Sequence, residues 1–291
     1  MHIVYHLGAH GTDEERLIRC LLKNRALLAD QGIAVPAPTR YRRLLRDTAV
    51  QLRGAKASPE SEQLILEQIL EEDRPERLVL SWDSFLSFPQ WALRKRLYEF
   101  AGERLLAFTR IFPSASAEFC LGLRNPATLL PVLFEKQKEP RDYAAFIGET
   151  DPESLLWSDV IARIRALNPD IPMTIWCDED TPLIWPEVLQ AVAGHAPGTP
   201  LSDTDELLSL IMSPEGFARM QARLASQPPA STAGARQVVS TFLAEFAVPE
   251  KLEMQFSLPG WDQARVSAMS QSYHEDLGRI AAMPGVTLLR P

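Results

Sequence analysis

The stretch His2-Ile3-Val4-Tyr5-His6-Leu7-Gly8-Ala9-His10-Gly11-Thr12-Asp13-Glu14-Glu15, continuing into Arg16-Leu17-Ile18-Arg19-Cys20-Leu21-Leu22, decides the fold. Its apolar run, residues 2–7, stops at Gly8 and suits a strand buried on both faces. Over residues 16–31, apolar side chains fall at 17, 18, 21, 22, 27 and 28. That is one helical stripe, closed by Gly32 in the expected C-terminal position. Strand, glycine-bearing loop and helix form the opening unit of a parallel α/β sheet. Ligands of such sheets bind beyond the carboxyl ends of the strands, and the first strand-to-helix loop is the usual phosphate cradle. A function is therefore expected in residues 8–15.

The alternation continues outward. A short strand is expected over 33–35, cut off by Pro36, then helices over 41–53 and 59–72 and a strand over 77–81 (RLVLS). A helix over 90–111, broken at Gly102, precedes a strand over 118–123. Pro126 opens a helix running to 138. Next come an amphipathic helix over 153–167 and a strand over 171–176. After Pro182 the chain reads as almost wholly helical, with a loop at 227–234 and a last strand at 286–289. Strands separated by long helical stretches imply parallel pairing. The fold expected is one α/β domain over 1–291, a parallel sheet flanked by helices, with a helical extension over 182–285. The strand order cannot be read.

Composition narrows the function. The 291 residues are 46% hydrophobic and 23% charged, ordinary for a globular chain that buries a sizeable core. Thirty Lys plus Arg against 38 Asp plus Glu give a net charge of −8. No nucleic-acid or anionic-membrane partner is expected, because counterion release needs a dense cationic surface. Cys20, Cys120 and Cys177 form no CxxC pair and read as buried thiols of a reducing compartment. With no signal-like start and no 18-residue apolar run, a cytoplasmic location is expected.

Residues at four places resemble the sulfotransferase family, in particular its bacterial branch with a start like HxGxHKTGTT. They are His6-Leu7-Gly8-Ala9-His10 with Thr12, Asn24-Arg25-Ala26-Leu27-Leu28 with Gly32-Ile33 and Pro36, Ser81-Trp82-Asp83, and Leu123-Arg124-Asn125-Pro126. Tyr273-His274-Glu275-Asp276-Leu277 with Pro284-Gly285-Val286 extends the likeness over nearly the whole chain. The resemblance implies a P-loop-like fold and phosphoadenosine phosphosulfate (PAPS) as sulfonate donor. It also implies donor-binding roles for Gly8, Thr12 and Arg124, and for Asp83 or His10 a role as base toward an acceptor hydroxyl or amine.

The chain departs from that pattern where the donor chemistry lies. With His10 on the family's His, Gly11 stands at the phosphosulfate-binding Lys, Asp13 at the turn Gly, and Glu14 and Glu15 at two hydroxyl residues. Phosphoryl binding needs free backbone N–H groups and a cation, whereas this loop offers three carboxylates. Two unit charges of one sign 4 Å apart repel by about 4 kcal/mol at an effective dielectric of 20. The residues also read, with no ligand, as a T-x-x-E capping box: Thr12 as N-cap and Glu15 reaching back to its amide. Val132 stands where the family pairs a Ser with the 3′-phosphate Arg, so Arg124 either holds an anion or pairs with a carboxylate at its strand's end. Asp83 reads as base or as a turn residue.

Arg40, Arg42, Arg43 and Arg46 form either a solvated helix face or a substitute phosphate patch, with Arg42 the candidate ligand. His6 and His10 lack a third ligand, so no metal site is expected. Two function classes remain. One is a sulfotransferase-like protein with degenerate PAPS loops, non-catalytic, needing no cofactor, and binding a protein partner through its C-terminal helices. The alternative is an active PAPS-dependent sulfotransferase of non-standard donor site.

Overall fold

In the computed structural model, residues 1–70, 75–137, 142–252, 254 and 258–291 are described. The sheet has six strands, all parallel: β1 (His2–His6), β2 (Ile33–Ala34), β3 (Arg77–Ser81), β4 (Ser116–Leu123), β5 (Met173–Cys177) and β6 (Val286–Leu289), in the order β2-β3-β1-β4-β5-β6. The α/β architecture follows from the residue pattern. Side chains alternate across a strand, and here both sets are apolar. Ile3, Tyr5 and Leu7 join Leu80, Phe119 and Ile175 in one core. Val4, Val79, Cys120 and Trp176 join a second core on the opposite face.

Helices cover both faces. Helices α1 (Arg16–Lys23) and α2 (Arg25–Ala29), and later α9 (Thr181–Ala193), build the second core. The first core is closed by α3 (Pro38–Leu52), α4 (Pro59–Ile69), α5 (Ala101–Thr109), α6 (Pro126–Glu135), α7 (Tyr143–Ile147) and α8 (Trp157–Leu167). The C-terminal region adds α10 (Glu206–Ile211), α11 (Pro214–Ser226), α12 (Thr232–Phe246), α13 (Pro249–Leu252) and α14 (Gln263–Ala281). Helices α10 to α12 enclose a small apolar cluster of their own around Met212 and Met220.

The strand order locates the crevice. The chain leaving β1 goes to the β3 side of the sheet, and the chain leaving β4 goes to the β5 side. β1 and β4 are neighbours, so their carboxyl ends flank the topological switch point, where an open α/β sheet binds ligands. Register sets the depth: His6 pairs with Ser81 and Cys120, and Leu123 with Cys177.

Three sequence expectations are corrected. The single helix over 16–31 is two, because Asn24 interrupts it; its side chain donates to Cys20 O (2.8 Å) and Ser202 O (3.0 Å) and accepts from Ser202 N (2.8 Å). Asn is a weak helix former for this reason: its amide competes for backbone partners. The helix expected over 90–111 exists only from Ala101 on, preceded by a 3₁₀ turn at Pro89–Trp91 and an irregular stretch through Tyr98, whose φ is 47°. The helix expected over 153–167 begins at Trp157, after a separate 3₁₀ turn at Pro152–Ser154. The ends expected at 72 and 138 lie outside the described residues. No helix among the described residues is long and apolar enough to cross a membrane.

Candidate functional site

Residues 7–15 leave β1 in a tight loop with two left-handed glycines, Gly8 (φ +53°) and Gly11 (φ +74°). Gly8 runs against the turn after β3; a Cβ there would stand 3.1 Å from Asp83 Cα. Gly11 is closed in from the other side. A Cβ there would lie 2.5 Å from Val132 Cγ1 on α6 and 3.0 Å from the Arg124 guanidinium. A side chain at position 11 requires the Val132 side chain to shift, and the left-handed φ adds strain to any residue but glycine.

The expected capping box does not form. Thr12 instead closes the loop on itself, its hydroxyl donating to Ala9 O at 2.7 Å and its N–H to the same oxygen at 3.2 Å. Glu14 and Glu15 are both left-handed (φ 48° and 65°). That geometry turns Glu15 outward to Arg42 Nη1, 2.5 Å away, and away from the Thr12 amide. Asp13 takes over the helix start, its carboxylate accepting from Leu17 N at 3.0 Å and its carbonyl from Arg16 N at 2.9 Å. A carboxylate at a helix N-terminus is stabilised by the orphan N–H groups and the dipole. The position an external anion would take is thus held by the chain's own Asp13.

The arginines are also engaged. Arg42 grips Ser81 O with Nε (3.2 Å) and Nη2 (3.1 Å) besides pairing with Glu15. Arg40 bonds the last carbonyls of α4, Gln68 O and Leu70 O, and Arg43 and Arg46 pair with Asp47 on the surface. The Arg40–Arg46 group therefore does not converge on the crevice; Arg42 alone reaches it. Arg124, at the end of β4, donates to Gly11 O, to Thr128 Oγ1 (3.1 Å) and to Met254 Sδ. Its own carbonyl accepts from Trp157 Nε1 at 2.8 Å. Arg124 serves the loop's backbone and makes no ion pair with any described carboxylate.

His10 is held by Tyr98, which sequence reasoning missed, and Asp83 lies near enough for its charge to act on the ring. Tyr98 Oη accepts from His10 N (3.2 Å) and meets His10 Nδ1 at 2.9 Å, and the two rings stack. Burial lowers the His10 pKa to about 4, against the upward pull of Asp83, with Lys136 acting in the same direction as burial. His10 is fully buried and its Nε2 has no partner. A buried polar atom left without a partner costs about 1–3 kcal/mol. Asp83 itself is exposed, with Ser84 Oγ donating to it at 3.1 Å. Glu14, Glu15 and Tyr98 are three of the described non-glycine residues held left-handed, and such strain clusters at working sites.

One further acid belongs to the crevice. Asp178 follows β5 and lies close enough to Arg124, Asp13 and Arg16 to feel their charges. Burial pushes its carboxyl up to about 7, Arg124 pulling the other way. The run Asp178-Glu179-Asp180 directly after a strand was the signal for it. Among the described residues no group of three or more His, Cys, Asp or Glu is placed to hold a metal. No family model, no curated protein and no solved structure matches the chain.

Proposed function

We propose that the chain is a sulfotransferase-like scaffold whose donor crevice is filled by its own side chains, and that it works as a binding or regulatory protein. One observation carries this reading. Position 11, where the family resemblance puts the phosphosulfate-binding lysine, is walled by Val132 and capped by Arg124. A lysine there would require the Val132 and Arg124 side chains to give way, so the altered motif and the altered wall belong to one arrangement. Removing that cation removes the electrostatic contribution that dominates transfer chemistry.

The residues present fit PAPS poorly. Asp13 holds the helix N-terminus, Glu14 and Glu15 add charge of the donor's own sign, and Arg42 is committed to Ser81 and Glu15. On this reading no PAPS is required. The partner is a protein met through the C-terminal helices, where α12 buries no residue fully, and not a nucleic acid or a membrane. Three buried free thiols accord with a cytoplasmic setting.

A second reading, transfer chemistry in the same crevice, is favoured by the unpartnered His10 Nε2 beside Asp83. Thermal shift with PAP (the desulfonated donor product), ADP and phosphate separates the two. A ligand at a hundred times its Kd stabilises a fold by about 2.7 kcal/mol. The proposal expects no PAP-selective shift. A PAP-selective shift abolished by Arg124→Glu would favour the enzyme.

A further inference from the structure

Helix α6 carries a proline in its middle. Pro131 has no N–H to give to Ala127 O four residues back, and its ring crowds that carbonyl. Ala127 is fully buried, so its oxygen needs a donor from elsewhere in the fold. The donor is Trp261, whose Nε1–H meets Ala127 O at 3.0 Å. Trp261 stands on the turn just before α14. Its backbone N–H donates to Leu258 O at 3.1 Å, and Asp262, the next residue, is the N-cap of that helix. The indole packs edge-on against Tyr143 of α7, with 5.5 Å between ring centroids. Buried Trp N–H groups commonly find a partner; here the partner is the one carbonyl that the proline frees.

The residue after the proline is Val132, the side chain that walls Gly11. The wall therefore starts where α6 lacks a rung of its own ladder. The first turn of the helix is tied down separately: Asn125 Nδ2 donates to Ser270 Oγ of α14 and Asn125 N to Glu179 Oε1, both at 2.8 Å. Those bonds do not reach past the proline. Helices kink at prolines, and at places where water enters the ladder. Without the indole, the buried Ala127 carbonyl is satisfied only by water, which enters by widening the bend at Pro131. Widening that bend displaces the half of the helix that begins at Val132.

We infer that Trp261 is a latch on a hinged wall: its indole N–H holds α6 unbent at Pro131 and so keeps Val132 on Gly11, and a protein partner that draws the turn before α14 away opens the loop after β1. The turn is within a partner's reach, since Pro259, Gly260 and Asp262 are exposed and Trp261 is only half-buried. The partner's part rests on reading the C-terminal helices as its surface. The latch rests on the bonds alone and stands whether or not the crevice takes a nucleotide.

The test is amide hydrogen exchange on the full chain, comparing the wild type, Trp261→Phe, Pro131→Ala and the double variant. Phenylalanine keeps a ring against Tyr143 and removes the N–H. Alanine at 131 gives α6 its own N–H for Ala127 O and makes the latch redundant. The latch predicts that Trp261→Phe speeds exchange at Thr12 and at residues 132–135 about tenfold, the order expected for one buried hydrogen bond, with β3 and β5 unchanged. In the Pro131→Ala background, the same substitution should leave those amides at their prior rates. Unchanged exchange in Trp261→Phe, equal acceleration with and without Pro131, or acceleration spread evenly over β3 and β5 would each overturn the inference. A PAP-selective thermal shift would count against the binding-protein reading and leave these rates as predicted.

Discussion

The two halves of the loop after β1 make opposite use of the same short sequence. Residues 12–15 are saturated: every carboxylate has a role, Asp13 on the helix N-terminus, Glu14 against Arg16 and Glu15 against Arg42. Residues 8–11 are tightly walled but not saturated, since His10 keeps one nitrogen unused in full burial. The first half resembles a surface turn that has satisfied itself. The second half stores cost at one side chain, which is what a ligand or a reacting group would relieve. A motif can thus be closed to its expected anion and still keep a polar residue poised beside it.

The sharpest way to break the comparison is to install the missing cation. Gly11→Lys forces a Cβ onto Val132 Cγ1 in a left-handed backbone. It should cost about 3 kcal/mol or more by denaturant unfolding. Adding Val132→Ala should recover part of that and leave the backbone share. A Gly11→Lys chain of wild-type stability would mean that the wall is not there.

Next in size is Tyr98→Phe, which removes the one hydroxyl that bonds both the backbone N–H and Nδ1 of His10 in the second half. A loss of about 1–3 kcal/mol is expected, read by the same unfolding assay. A neutral result would remove Tyr98 from the account.

The pH dependence separates His10, in the unsaturated half, from Asp178 across the crevice by sign. His10 has a folded pKa near 4 against an ordinary value of 6.5, so the unfolded chain takes up its proton first and stability is lost as pH falls from about 6.5 to 4. Asp178 has a folded pKa near 7 against 3.8, so its contribution runs the other way and stability is gained as pH falls through the same window. His10→Gln should therefore tilt the Tm-against-pH profile toward greater stability at pH 4, and Asp178→Asn toward greater stability at pH 7. Parallel profiles for the two variants would contradict these environments.

Smallest of all is Glu15→Gln, which breaks the ion pair to Arg42 in the saturated half and leaves Arg42's grip on Ser81 O in place. Part of that pair is exposed, so about 1 kcal/mol is expected, and high salt should shrink it.

The place of the crevice was legible because a strand, a glycine turn and a helix are encoded within twenty residues. Gly8, His10 and Arg124 were singled out by the family resemblance and Asp83 by its place beyond β3; Gly8 packs on Asp83, and Arg124 holds the carbonyl of Gly11 beside His10. What was not legible depends on distant packing. Residues 93, 97, 101, 105 and 108 keep helical spacing, yet the helix starts only at Ala101, because Tyr98 is pulled into a left-handed turn with its hydroxyl on His10. Tertiary contact overrode local propensity there. The capping box failed for a similar reason: Arg42, on a later helix, competes for Glu15. Nor does position 132 reveal by itself that its side chain closes on Gly11, since that follows from α6 leaving β4 beside β1.

The central claim is that the chain's own groups close the donor crevice. Its most direct test is a calorimetric titration of PAP into the wild-type protein, beside Asp13→Asn/Glu14→Gln/Glu15→Gln. The account predicts no saturable heat from the wild type at concentrations of about 1 mM, and measurable binding once the three carboxylates are neutral. Saturable wild-type binding that disappears in Arg124→Glu would contradict it.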